Sequence, residues 1–230
     1  MDFIKENYIL FVYLITVVLS IVRYKLYFDT PLKYLPILFS YTLLMEILGA
    51  LIRDFENFQL IYQEEYEAYN SIIYNIFDVV WYGYFFRIFW LTVKSEKAKK
   101  IIVWGTVALV IASLVNPFIQ NVMIRPQNFA IVIGSCLLVY CSVQYIIEVK
   151  KGSSKVLKSR NLLFWLGAGN IIFHSFYPWA MLLLEYDYNT YRTANLYSWH
   201  MAALSMMYAC FILGYLKMAS MNRFMKMDGR

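Results

Sequence analysis

Charge is scarce in this sequence. Only 16% of its 230 residues are Asp, Glu, Lys or Arg, where a soluble domain carries about a quarter. That deficit excludes an ordinary water-soluble globular domain. Cysteine is rarer still: Cys136, Cys141 and Cys210 stand singly in apolar stretches, without metal-ligand spacing or an even-numbered disulfide framework. They read as small packing residues. The two histidines, His174 and His200, are far apart in sequence. Seven-helix lipid hydrolases of the ceramidase type carry three, including a closely spaced pair on one helix. No Gly-rich phosphate loop and no Ser-His-Asp candidate occurs. No catalytic residue, metal set or cofactor is therefore assigned, and the balance leans away from an enzyme.

What is abundant is apolar surface. Hydrophobic residues make up 61% of the chain and come in runs of about 20, the length that crosses about 30 Å of hydrocarbon at 1.5 Å per residue. The expected fold is an all-α, polytopic bundle of seven transmembrane helices in a single domain over residues 1–230. Its spans fall at about 8–22, 35–52, 70–93, 101–119, 129–149, 162–184 and 196–216. An acidic segment over 53–67, a Gly/Ser/Lys linker over 150–160 and a Tyr/Asn-rich loop before the last span separate them. The first run follows an acidic start and ends without a small-residue cleavage site, so a retained helix is expected, not a signal peptide. No soluble domain is expected before, after or within the bundle.

Orientation follows from the basic residues. Sixteen of the 21 Lys and Arg, among them Arg23, Lys33, Lys94, Lys100, Lys150, Arg160 and Lys217, flank the spans on one side, and four lie on the other. The positive-inside rule then places the N-terminus outside and the C-terminus in the cytoplasm. The net charge of +6 belongs to these loops and to anionic headgroups, so the bilayer is the expected partner and nucleic acid is not. Tyr and Trp near span ends read as interfacial anchors.

Five ionisable side chains fall within spans: Glu46, Asp78, Arg87, His174 and His200. Such groups cost about 2.5 to 3.5 kcal/mol each on insertion scales and mark functional sites when partners can be named. Helical spacing groups them. Asn75, Asp78 and Tyr82 form one stripe, Asn170, His174 and Tyr177 another, and Thr42, Glu46 and Gly49 a third. Similar depths let Glu46, Asn75, Asp78, Tyr82, Asn170, His174, Tyr177 and His200 converge as a ligand-binding cluster in the outer half. The competing structural reading is interhelical glue, at about 0.6 to 2 kcal/mol per hydrogen bond. Arg87 lies on the far side of its helix from Asp78 and can snorkel to headgroups. Pro178 removes the donor to the His174 carbonyl, so a kink is expected there.

Thr30-Pro-Leu-Lys-Tyr-Leu-Pro36 leading to Glu46-Ile-Leu-Gly49, then Tyr74-Asn75, Phe164-Trp165-Leu-Gly167 with Gly169, and the Trp199 segment resemble a family of bacterial seven-helix integral membrane proteins. The resemblance implies association with envelope signalling and assigns no ligand, chemistry or site residue; His174 replaces an expected aromatic. The leading expectation is a multi-pass protein of the bacterial inner membrane. It binds a small cationic or hydrogen-bonding molecule and relays the change to a cytoplasmic signalling partner. The alternatives are a small-solute transporter with a three-plus-one-plus-three helix arrangement and a metal-dependent lipid hydrolase using mixed N/O ligands.

Overall fold

The apolar runs form helices, and no strand occurs among the described residues. The computed structural model describes residues 8–54, 71–152 and 159–219. Its helices are α1 (Tyr8–Val22), α2 (Leu35–Asp54), α3 (Ser71–Thr92), α4 (Glu96–Ile119), α5 (Asn128–Gly152), α6 (Leu162–Tyr186), a short α7 (Tyr188–Thr193) and α8 (Leu196–Lys217). Side-chain caps set several starts. Ser95 accepts from the Ala98 N–H at the head of α4, and Asn161 from the Phe164 N–H at the head of α6. Thr30 caps a 3-10 turn, Pro31–Tyr34, that leads into α2. Asn195 adopts the left-handed conformation (φ 50°) between α7 and α8, a setting asparagine tolerates well.

Among the described residues, four helical stretches are long and apolar enough to cross a membrane: Pro31–Ile52, Glu96–Ile119, Asn128–Gly152 and Leu196–Lys217. The chain therefore has the character of a membrane protein. Helix α1 is apolar but has only 15 residues. Helices α3 and α6 have 22 and 25 residues but carry the polar groups discussed below, which lower their hydropathy.

The structure departs from expectation in two places. Helix α5 runs on to Gly152, into the expected linker, and the loop before α8 contains α7. Helix α6 runs through Pro178, as its expected span does, and ends at Tyr186; transmembrane helices tolerate proline where neighbours re-satisfy the backbone. The acidic segment beyond Asp54, most of the linker and the basic tail lie outside the described residues.

Packing follows a simple order. Helix α1 touches α2, α2 touches α3, α3 touches α5, α5 touches α6, α6 touches α8, and α8 returns to α1. These six close a ring in chain order, while α4 lies outside it against α5 and α3. Helices α1, α3, α5 and α8 begin at one end of the bundle, where α2, α4 and α6 finish. At the opposite end the ring interior is packed with aromatic side chains, and a second cavity of about 480 Å³ lies at the periphery, between α3 and the turn before α2. Phe39, Phe85, Phe86, Phe89, Phe211 and Tyr215 are buried in that interior, with Phe39 touching both Phe211 (5.7 Å between centroids) and Tyr215 (6.2 Å) across the ring. Gly169 permits the close approach of α6 to α8: a Cβ there would lie 2.7 Å from the Met207 carbonyl oxygen. That end is also tied by polar contacts. Glu148 accepts from the backbone N–H groups of Lys94 (2.8 Å) and Ser95 (3.2 Å), and Asn161 donates to Tyr145 (2.8 Å).

Candidate functional site

At the other end the ring is hollow. A cavity of about 470 Å³ is lined by α1, α2, α3, α6 and α8, with Pro126 at its rim before α5. Its floor is aromatic: Trp81 lines it and also packs on Phe85 and Phe211 of the solid half. Of the eight residues expected to converge, Glu46, Asn75, Asp78, His174, Tyr177 and His200 line this cavity. Tyr82 and Asn170 are not among its lining residues.

Each of the six has a distinct setting. Asp78 lies about 10 Å along α3 from its start and accepts a hydrogen bond from the Tyr177 hydroxyl at 3.0 Å. No other hydrogen bond or ion pair reaches its carboxylate among the described residues. Glu46 on α2 accepts from two phenols, Tyr13 to Oε1 and Tyr74 to Oε2, both at 3.2 Å. Asn75 lines the cavity, yet its amide is committed to the chain between α4 and α5. Its Nδ2 donates to the Val122 (2.8 Å) and Arg125 (2.9 Å) carbonyls, and its Oδ1 accepts from the Gln127 N–H (2.8 Å). Beside this chain Arg125 pairs with Glu185 at the end of α6. Asn75 thus holds one rim of the cavity in place.

His174 is 3% exposed. Its Nδ1 is 3.2 Å from Ser135 Oγ, and Ser135 in turn is 2.9 Å from the Tyr82 hydroxyl. Tyr82 therefore supports the site from behind His174, its ring 5.4 Å from the imidazole. A Cβ at Gly134 would meet the Tyr82 ring at 2.5 Å, so glycine there is what admits it. The other ring nitrogen of His174, Nε2, is buried without a hydrogen-bond partner among the described residues. His200 packs on Phe173 and Tyr177 at 5.3 and 5.5 Å, and its Nδ1 is likewise buried and unpartnered among them. Asn170, fully buried outside the cavity, has neither amide atom paired with a described residue.

The pairings differ from those the stripes suggested. Asp78 and Glu46 bond neither to each other nor to a histidine; phenols serve both. Tyr13 and Ser135 had no polar neighbour in sequence to flag them, and Tyr74 stood out only through the family resemblance. Their roles come from tertiary approach alone. Arg87 is exposed and sits with Phe28, Lys33 and Tyr84 at the solid end, well away from Asp78. Among the described residues, no three His, Cys, Asp or Glu side chains are grouped so as to hold a metal ion.

No family model, no curated protein and no solved structure matches the chain. The functional reading therefore rests on the geometry of the cavity.

Proposed function

We propose that the chain is a seven-span protein of the bacterial inner membrane, N-terminus outside and C-terminus in the cytoplasm. Its cavity binds a small ligand from the outer side, and occupancy is relayed to a cytoplasmic partner through the basic loops. One observation carries this reading. Four ionisable side chains from four helices, Glu46, Asp78, His174 and His200, line one cavity, although each alone is costly at membrane depth. The solid aromatic half beneath separates that cavity from the basic loops, as a receiver with a rigid connection to its output requires. Ligand pockets of 300 to 1,000 Å³, apolar with a few convergent polar groups, are the usual small-molecule sites.

A second reading has its own support. The ring order places α1, α2 and α3 opposite α5, α6 and α8, with α4 outside as a connector. Rotation about an axis along the bundle pairs α2 with α6 and α3 with α8. Glu46 then corresponds to His174 and Asp78 to His200. Parallel repeats with a site at their interface are a transporter arrangement.

The test uses the purified chain in nanodiscs, incubated with a metabolite extract, washed, and analysed by mass spectrometry beside Asp78→Asn. Enrichment of a small molecule on the wild type alone is expected. No enrichment over the variant would overturn the ligand reading. Uptake of the recovered molecule into proteoliposomes would replace the receptor by the transporter. Reporter fusions at the two termini check orientation, and an external C-terminus would refute the topology.

A further inference from the structure

The chemistry of the cavity wall narrows the ligand class. This step rests on the cavity being a ligand site. From its lining we infer that the ligand is a small organic cation, an amine or quaternary ammonium, held at Asp78 inside an aromatic enclosure.

The first observation is the sign of the lining. Two carboxylates, Asp78 and Glu46, face the cavity, and no lysine or arginine lines it among the described residues. Among the described residues the Asp78 carboxylate receives only a neutral phenol. In a low-dielectric enclosure a carboxylate gains far more from a cation than it does in water. An anionic ligand would meet the Asp78 carboxylate with no lysine or arginine lining the cavity among the described residues, and a neutral one would leave Asp78 uncompensated.

The second observation is the wall itself. Tyr74, Phe77, Trp81, Phe173 and Tyr177 line the space around Asp78. Phe173 and Tyr177 lie stacked at 4.9 Å with 20° between planes, and Phe77 packs on Trp81 at 5.6 Å. Ring faces attract cations, and such cages are how quaternary ammonium groups are recognised.

The third is His174 Nε2, a nitrogen unpartnered among the described residues, on a residue that is 3% exposed and lines the same cavity. When Nδ1–H donates to Ser135, Ser135 to Tyr82, and Tyr82 to the Ile131 carbonyl at 3.4 Å, Nε2 is left as an acceptor. It can then take an N–H or O–H from a ligand that reaches it. In that arrangement the Tyr82–Ser135 pair holds the tautomer that a donor ligand needs.

The experiment is isothermal titration calorimetry on the full chain in nanodiscs with two matched pairs. Choline is set against 3,3-dimethylbutan-1-ol, and tyramine against tyrosol; each pair differs essentially in charge. At least one cation is expected to bind saturably at one site, its neutral counterpart at least tenfold more weakly. Asp78→Asn is expected to lose at least tenfold in cation affinity with the unfolding temperature retained. The proposal is overturned when neither cation binds, when a neutral partner binds equally, or when Asp78→Asn binds as the wild type does. If that variant fails to fold, the wild-type pairs decide alone. A neutral or anionic molecule recovered from the metabolite extract in an Asp78-dependent way would leave the ligand cavity standing and remove only the cation.

Discussion

The two ends of this bundle are built from the same helices and nearly the same aromatic vocabulary, yet they do opposite things. At one end Phe39, Phe85, Phe89, Phe211 and Tyr215 fill the ring. At the other, Tyr13, Tyr74, Trp81, Phe173 and Tyr177 stand around an opening. The difference lies in what accompanies the rings. The solid end has polar contacts at its periphery, such as Glu148 with the α3–α4 turn. The hollow end carries carboxylates and histidines inside. Buried charge keeps its surroundings from collapsing into a dry core, because an unpaired carboxylate in hydrocarbon is costlier than an unfilled volume. One end is stabilised by packing and the other is held open by polarity.

If that contrast is right, substitutions at the two ends should separate. The largest effect is expected from Phe211→Ala. Phe211 is fully buried and touches Phe39, Trp81 and Tyr208. Hydrophobic transfer contributes little between helices in lipid, so the loss is mainly of van der Waals contact and the cavity left behind. A cost of about 3 kcal/mol is expected, the lower end of the range for core Phe→Ala changes in water, which also include a transfer term, measured by reversible unfolding in mixed micelles. A loss under about 1 kcal/mol would mean that the solid end is not the stabilising one.

Asn75→Ala should cost less and report locally. Three hydrogen bonds tie its amide to the chain between α4 and α5, and its removal leaves those backbone groups to find other partners. About 1 to 3 kcal/mol is expected, together with faster amide exchange in residues 121–127 and little change at the solid end. Exchange that rises uniformly through the bundle would show that the two ends do not behave separately.

How much of this was legible in the sequence differs in the same way. The helices were plain, since apolar runs of spanning length leave few alternatives. Depth and stripe grouped Glu46, Asp78 and His174, and depth alone added His200; all four line one cavity. The partners could not be read in this way. Asp78 and Tyr177 are 99 residues apart, and Glu46 and Tyr13 are 33 apart, so no local pattern couples them. A chain with 21 tyrosines offers no means of telling a phenol that holds a carboxylate from one that anchors at an interface. Tyr82 and Asn170 shared a helical stripe with cavity residues but not the cavity. Tyr82 is drawn instead toward α5 by Gly134 and Ser135. A stripe fixes direction from its own axis and does not fix what the neighbouring helix leaves room for.

The smallest expected effect tests the hollow end most directly. Tyr177→Phe removes the hydroxyl that reaches Asp78 and keeps the ring stacked on Phe173. Asp78 is only partly buried because it faces the cavity, and a polar space of this size admits water to a carboxylate that loses its phenol. A double-mutant cycle of Tyr177→Phe with Asp78→Asn should therefore give a coupling of about 0.6 kcal/mol and no more than about 1.7, the range found for hydrogen bonds between membrane helices. Each single change should alter stability by about 1 kcal/mol or less on the same basis. A coupling of several kcal/mol would make the Tyr177–Asp78 pair a structural clasp. The carboxylate would then be explained by folding, and the distinction between a packed end and a binding end would fail at the residue on which it most depends.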